Sequence, residues 1–367
     1  MKNYFKWVVD WVTYAVLSSI FSLRYKVTVK GSEHFKDWEM PHGALLLSNH
    51  PSFLDGFFIT TYAVKCGLRL YPWVLDTELK SPFIRGILSI NKMTADFIET
   101  PDFGRTITEE KLKRLEACFE ESGRVMAEGH PVLLFPSGRV QDRPVETIGG
   151  SSAAYKLFTE NPEAKLVLVR SRGFWGSRFS RALTGRPNLV TASFALLKVL
   201  LANFIFFAPR RKVSFEFFPV YRSKLDGLSK TDFNRAIDGY FNGTGAIGDN
   251  IGPDYVNLVP DYFYYRKYPI PTYQPRRRQG EMDASMGDIY DEIKSIIVEN
   301  SGLEEWHISP FMNFHEDLHL DSLELVAILA EVRRRWGIEE IDMNKLDSVG
   351  YLAHLVYQHK MGPTEKS

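Results

Sequence analysis

The sequence predicts an α/β fold, with a mostly parallel sheet flanked by helices, followed by a C-terminal four-helix bundle. Three observations predict it. Apolar runs at 44–47, 132–135 and 166–169 each end abruptly in a polar cluster, the pattern of buried parallel strands that deliver chemistry at their tips. Helix-spaced apolar residues such as Leu112, Leu115 and Phe119 lie between them. Beyond residue 285 the chain turns acidic, and isoleucines and leucines recur at helical spacing.

In chain order, residues 4–23 are apolar and aromatic, with Lys6 and Asp10 inside. Asp10 makes a full membrane span costly. Trp7, Trp11 and Tyr14 suit a helix lying in a membrane surface, with a plain core helix as the alternative. No small-residue cleavage site marks a signal peptide. A strand is expected at 27–29, then the strand at 44–47, then a helix over 53–66. Residues 71–100 carry no clear pattern. Thr106-Ile107-Thr108-Glu109 has capping-box form and opens the helix of Leu112, Leu115 and Phe119.

The longest apolar run, 189–208, is interrupted by Lys198 and Asn203 and followed by Arg210-Arg211-Lys212. A single span there would split the sheet, because the alternating stretch 213–218 reads as a late strand. The expectation is a helix dipping into one leaflet, with the cations at headgroups. A polar helix near 230–242 follows. Prolines and tyrosines then crowd residues 250–284. The expected organisation is a surface helix at 1–24, a body at 25–249, a Pro/Tyr/Arg-rich extension and linker at 250–284, and a helical domain at 285–362.

Residues 285–367 hold 16 Asp/Glu against 7 Lys/Arg, a net of −9, so the remainder carries +9 of a chain whose formal charge is zero. Such halves attract one another, or the basic body faces anionic lipid. Two cysteines, Cys66 and Cys118, give neither a disulfide framework nor metal spacing. No metal and no nucleic-acid partner is expected.

The first run ends in Ser48-Asn49-His50-Pro51-Ser52-Phe53-Leu54-Asp55. A five-residue spacing does not put His50 and Asp55 on one helix face. Pro51 keeps His50 out of helical geometry, so His50 can sit on a turn with Asp55 on the helix that follows. Residues two and five apart on one turn rarely reach the geometry of a Ser52–His50–Asp55 hydrolase triad. The stretch resembles the histidine–four residues–aspartate motif of the glycerolipid acyltransferases, the lysophosphatidic acid acyltransferases and their relatives. That resemblance implies that His50 is the general base that deprotonates an acceptor hydroxyl, and that Asp55 holds its tautomer. Imidazole chemistry near pH 7 agrees.

The second run ends in Pro136-Ser137-Gly138-Arg139, which resembles the family's third motif, Phe-Pro-Glu-Gly. Ser137 stands where the family has a glutamate tied to acceptor binding. By this resemblance Ser137, Gly138 and Arg139 bind substrate. The family's second motif ends in an arginine; Phe97-Ile98-Glu99 has none at that place, and Arg85 and Arg105 are open substitutes. The third run leads into Arg170 and Arg172, with Arg178 beyond. Arg170, Arg172 and Arg178 are candidate ligands for phosphate or for a carrier's phosphopantetheine.

Near the C-terminus, Asp321-Ser322-Leu323 precedes a helix face of Leu325, Ile328, Leu329, Val332 and Trp336. The whole segment resembles an acyl carrier protein, which implies 4'-phosphopantetheine carried covalently on Ser322 and a phosphopantetheinyl transferase as partner. The two resemblances together imply a membrane-associated O-acyltransferase. It would move an acyl chain from its own or a free carrier, or from acyl-CoA, to a lysolipid at the cytoplasmic face of the inner or plasma membrane. A non-catalytic, membrane-docked carrier and lipid-binding module is the alternative.

Overall fold

The computed structural model describes residues 2–35, 41–76, 78, 86, 95–101, 109–141, 143, 145–183, 187–245, 247–254, 257–263, 286–305, 308–314, 317, 318, 320, 322–338, 341, 346 and 348–361. The side chains of residues 2–7, 34, 35, 322 and 323 lie outside that description.

Seven strands form one sheet: β1 (Tyr25–Lys30), β2 (Ala44–Ser48), β3 (Tyr71–Leu75), β4 (Ile98–Thr100), β5 (Pro131–Leu134), β6 (Lys165–Arg172) and β7 (Arg211–Val220). Their order is β1-β7-β6-β2-β5-β3-β4. Every pairing is parallel except β6 with β7. Strands β2 and β5 are buried at every position because both of their faces are covered. Alternate residues serve opposite layers. Leu45, Leu47, Val132, Leu134, Leu166 and Leu168 face one apolar cluster, with helices α3 (Glu109–Ala127), α4 (Ala153–Glu160) and α6 (Lys230–Asn242). Leu46, Leu133, Val167 and Val169 face the other, with helix α2 (Asp55–Ala63) and Phe215 and Phe217 of β7. Period-two alternation inside wholly apolar runs is thus what holds the sheet between two helical layers. The strand ends are fixed by close approach. At Gly31, φ is +79°, and a Cβ would lie 2.0 Å from the Phe217 carbonyl oxygen, so only glycine fits.

Helix α1 (Lys2–Ser22) packs on α2 through Phe21, stacked on Phe58 at 4.0 Å, and Tyr14, edge-on to Tyr62. Its Asp10 pairs with Arg69 at 2.7 Å, while Val12, Val16 and Ile20 form an exposed stripe at four-residue spacing. The side chain of Trp7 lies outside the described residues.

Helix α5 (Leu189–Ala202) has 14 residues. At 1.5 Å per residue it is about 21 Å long, short of a hydrocarbon core of about 30 Å. Among the described residues no helix is long and apolar enough to cross a membrane. Past α5 the chain turns sharply. Phe204 and Ile205 adopt positive φ of 48° and 65°, which is strained for an aromatic and more so for a β-branched residue. Buried Asn203 holds the turn: its amide donates to the carbonyls of Val199 and Asp261, and its side-chain oxygen accepts the Phe263 N–H. Phe204, Phe206 and Phe207 are left 71%, 71% and 66% exposed.

The described part of 250–263 lies across the body, tied by cations. Arg172 donates to the Pro253 carbonyl, Arg211 to that of Asn257, and Arg24 to that of Pro260. Residues 264–285, with the cluster Arg276-Arg277-Arg278, lie outside the described residues.

The C-terminal segment has its own apolar core, built by α7 (Gly287–Ser301), α8 (Ser322–Trp336) and α9 (Val349–Met361). Ile293, Ile296, Ile328, Val332, Leu352 and Val356 are fully buried at its centre. Three α-helices are present among the described residues. The expected fourth piece, near 341–347, falls mostly outside them.

Candidate active site

The site sits where β2 and β5 run out of sheet. Asn49 clamps the end of β2 to β6: its amide donates to the Ser171 carbonyl at 2.9 Å, and its oxygen accepts the Ser171 N–H at 2.7 Å. The chain then turns through His50, and the His50 carbonyl accepts the Gln141 N–H at 2.7 Å. Asp55 is the first residue of α2 and is fully buried. Its carboxylate accepts three donors: the Ser52 N–H at 3.1 Å, the Gly56 N–H at 2.6 Å and the His50 ring at Nδ1, 2.8 Å from Oδ1 and 3.0 Å from Oδ2. A carboxylate at a helix N-terminus meets unsatisfied amides, so the helix start fixes Asp55 and Asp55 fixes the ring. An ionised carboxylate only accepts, so Nδ1 carries the proton and Nε2 keeps a free lone pair.

The imidazole stacks on Phe135 at 4.0 Å between ring centres. Its side chain keeps a part-exposed edge. Burial alone pushes the His50 pKa down. The charge and hydrogen bond of Asp55, joined by the charge of Glu146, outweigh burial and hold it above the ordinary value. Ser52 is buried, and its hydroxyl donates to the Phe179 carbonyl and accepts the Leu54 N–H. The partner of the His50 ring is therefore Asp55 and not Ser52.

Glu146 is the group that sequence reasoning missed. It is 4% exposed, and its Oε2 accepts the His50 backbone N–H at 2.8 Å. Burial raises its pKa, opposed by the Ser137 side chain, by the His50 amide and charge, and by the Arg139 charge. Ser137, Arg139, Glu146 and His50 therefore share one neighbourhood.

Residues 26–168 match the family model described as Acyltransferase. The protein is an acyltransferase. The matched stretch carries His50, Asp55, Ser137, Gly138, Arg139 and Glu146, and it ends before the arginines of 170–178 and before the C-terminal bundle.

In this acyltransferase the third-motif loop reaches the site with its backbone already engaged. The Gly138 N–H donates to the Phe135 carbonyl at 2.9 Å and the Ser137 hydroxyl to the Arg139 carbonyl at 3.1 Å. Gly138 has φ +64° and open space where a Cβ would stand. Its amide closes a turn, so an oxyanion would need another donor.

Arg170 corrects an expectation. It is buried and paired with Glu216 on β7, with Nε 2.9 Å from Oε2, and it donates to the Tyr240 carbonyl at 3.1 Å. Arg170 and Glu216 are directly opposed across the antiparallel β6–β7 pair, so this arginine holds the sheet and is not offered to a substrate. Arg172 donates to the Pro253 carbonyl and pairs with Asp254, fastening the 250–263 extension, while its buried Nη1 makes no hydrogen bond. Arg178 pairs with Asp261. Arg85 and Arg105 lie outside the described residues, as do Asp321 and the side chain of Ser322. Among the described residues no cluster of three or more His, Cys, Asp or Glu could hold a metal.

Proposed function

We propose that this acyltransferase moves an acyl chain from a carrier-bound thioester to the hydroxyl of a lysophospholipid at a membrane surface. The observation that carries the chemistry is the 2.8 Å contact between His50 Nδ1 and Asp55, with Nε2 turned away from it. Nε2 takes the proton of the acceptor hydroxyl as its oxygen forms the new ester bond to the acyl carbon. Asp55 balances the charge on the imidazolium. The carbon–sulfur bond breaks, and the proton passes from His50 to the departing sulfur. No covalent enzyme intermediate is required. Ser137 and Arg139 share the neighbourhood of Glu146, which holds the His50 backbone, and an arginine on that loop suits an acceptor phosphate.

The carrier reading rests on the C-terminal bundle. Ser322 opens α8, whose apolar face packs on α7 and α9. A helix start has backbone N–H groups without intrahelical partners, a favourable setting for an attached phosphate. 4'-Phosphopantetheine on Ser322, installed by a phosphopantetheinyl transferase, would supply an activated acyl group on a long arm. The membrane reading rests on the exposed Phe204, Phe206 and Phe207 beside α5 and on the exposed stripe of α1. Modification of Ser322 in the cytosol makes the cytoplasmic face of the inner or plasma membrane the working side.

Two measurements test this together. Intact-protein mass after expression with a phosphopantetheinyl transferase reads the arm and its acyl chain, and Ser322→Ala removes both. Single-turnover incubation with a panel of lysolipids then reads ester formation, lost in His50→Ala. An arm that discharges only to free fatty acid in both proteins would refute the lysolipid acceptor.

A further inference from the structure

The C-terminal segment meets the body through polar contacts at the start of α6, at Gly150 and at Arg143. Glu324, in the first turn of α8, is 4% exposed. Its Oε1 lies 2.6 Å from Lys230 Nζ, at the start of α6. The same carboxylate packs on Gly150, where a Cβ would stand 2.9 Å from Oε1 and 3.1 Å from Oε2. Beside it the Thr231 hydroxyl donates to the Gly302 carbonyl at the end of α7, at 3.3 Å, and Arg143 pairs with Asp317 at 3.4 Å. A buried carboxylate between a lysine and a side-chain-free backbone position is a seated contact, unlike an exposed pair.

The loop that receives Glu324 also touches the catalytic turn. One face of α6 grips it at four-residue spacing. Asn242 Oδ1 accepts the Glu146 N–H at 2.8 Å, Asp238 Oδ1 accepts the Ile148 N–H at 2.9 Å, and the Asn234 amide donates to the carbonyls of Gly149 and Ser151. At one end Glu146 holds the His50 N–H; at the other Gly150 meets Glu324. Four residues separate them, so their Cα atoms are at most about 14 Å apart.

We infer that Glu324, Lys230 and Gly150 form a docking latch that seats the start of α8 on the 146–151 loop, so that the donor reaches His50 within one chain. This rests on the carrier reading of Ser322, and it names that chain's own bundle as the donor. A polar contact suits the task. It specifies register and orientation.

The latch is tested on the full-length chain by hydrogen–deuterium exchange of residues 146–151 and by single-turnover transfer, normalised to the loaded fraction read by mass. Lys230→Glu leaves the whole C-terminal domain unchanged. It should speed exchange in the loop and slow transfer about tenfold. Glu324→Lys should do the same, and the double charge swap should restore both to within about threefold. Unaltered exchange and transfer in Lys230→Glu, or no recovery in the swap, would overturn the latch. A trans assay gives a second check: His50→Ala chains carrying labelled acyl, mixed with Ser322→Ala chains, should transfer far more slowly than wild type at equal dilution. Equal rates would overturn delivery within one chain. The exchange measurement needs no arm on Ser322, so a loop that responds to Lys230→Glu in a chain shown by mass to lack the arm would refute the carrier reading and leave the contact standing.

Discussion

Glu146 Oε2 accepts the backbone N–H of His50 at 2.8 Å, so a buried carboxylate nine residues beyond Ser137 holds the turn that carries His50. Ser137 occupies the place where the resembled family carries a glutamate. Here a carboxylate reaches the same neighbourhood from the next loop, positioned by Asn242 and Asp238 of α6.

Glu146→Gln keeps an acceptor for the His50 N–H and removes the charge. His50 must be neutral to accept a proton, so the rate rises with pH as the imidazole deprotonates. Glu146 helps hold the His50 pKa above its ordinary value. Its neutral replacement should therefore move the acid limb of kcat/KM to lower pH and cut the plateau about tenfold. An acid limb that stays in place would show that Glu146 acts on structure alone.

Asp55→Asn should be the more damaging change. It removes the charge that balances the imidazolium, and it can turn an amide N–H toward Nδ1, which favours the other tautomer. The expected loss in kcat is about 10²–10⁴-fold, again with the acid limb shifted down, because Asp55 raises the His50 pKa through both charge and hydrogen bond. The Ser52 and Gly56 amides also lose a charged acceptor, so stability should fall by about 1–3 kcal/mol. Unfolding monitored by urea separates the two effects, and a variant of full stability and full rate would remove Asp55 from the mechanism.

What could be read from the residues alone follows the range of the interactions. His50 and Asp55 are five apart, and an apolar run, a proline and a helix start suffice to pose them. Glu146 was not legible, because its contact with His50 spans 96 residues and depends on how α6 grips a loop with no periodicity. Its one local signal is an acidic residue among Gly, Pro and Thr, with no basic residue nearer than Arg143. Arg170 failed for a related reason. A strand-end arginine reads as a phosphate ligand until β7 is laid antiparallel to β6, which sets Glu216 directly opposite. Helix α5 and the strand after it were legible because a membrane span over the apolar run 189–208, with Lys198 and Asn203 inside it, would have split the sheet; the helix ends at Ala202, with Asn203 as its C-cap.

Arg170→Met separates the sheet-holding role from a substrate-binding one. Breaking a buried pair leaves Glu216 without its partner and should cost about 3 kcal/mol. The side chain touches Glu216 and the Tyr240 carbonyl, so KM for the lysolipid should stay within about twofold of wild type at temperatures where the variant is folded. A large rise in KM with the urea midpoint unmoved would restore Arg170 to the substrate site.

The turn that follows α5 is held at a cost. Backbone with positive φ at Phe204 and Ile205 costs of order 1–3 kcal/mol per residue. Buried Asn203, bonded to Val199, Asp261 and Phe263, maintains it. In water the result is three phenylalanines turned outward; in a leaflet each would gain about 1.5 kcal/mol or more on burial. Replacing Phe204, Phe206 and Phe207 together by Ser should therefore weaken sedimentation with anionic phospholipid vesicles at least about 100-fold, even at partial depth. High salt should leave most of this loss in place, since it is apolar, while weakening the share contributed by cations such as Arg210 and Lys212. Asn203→Ala, which frees the turn without removing any aromatic ring, should weaken binding less. Vesicle binding unchanged in the triple variant would show that the protruding turn meets something other than lipid.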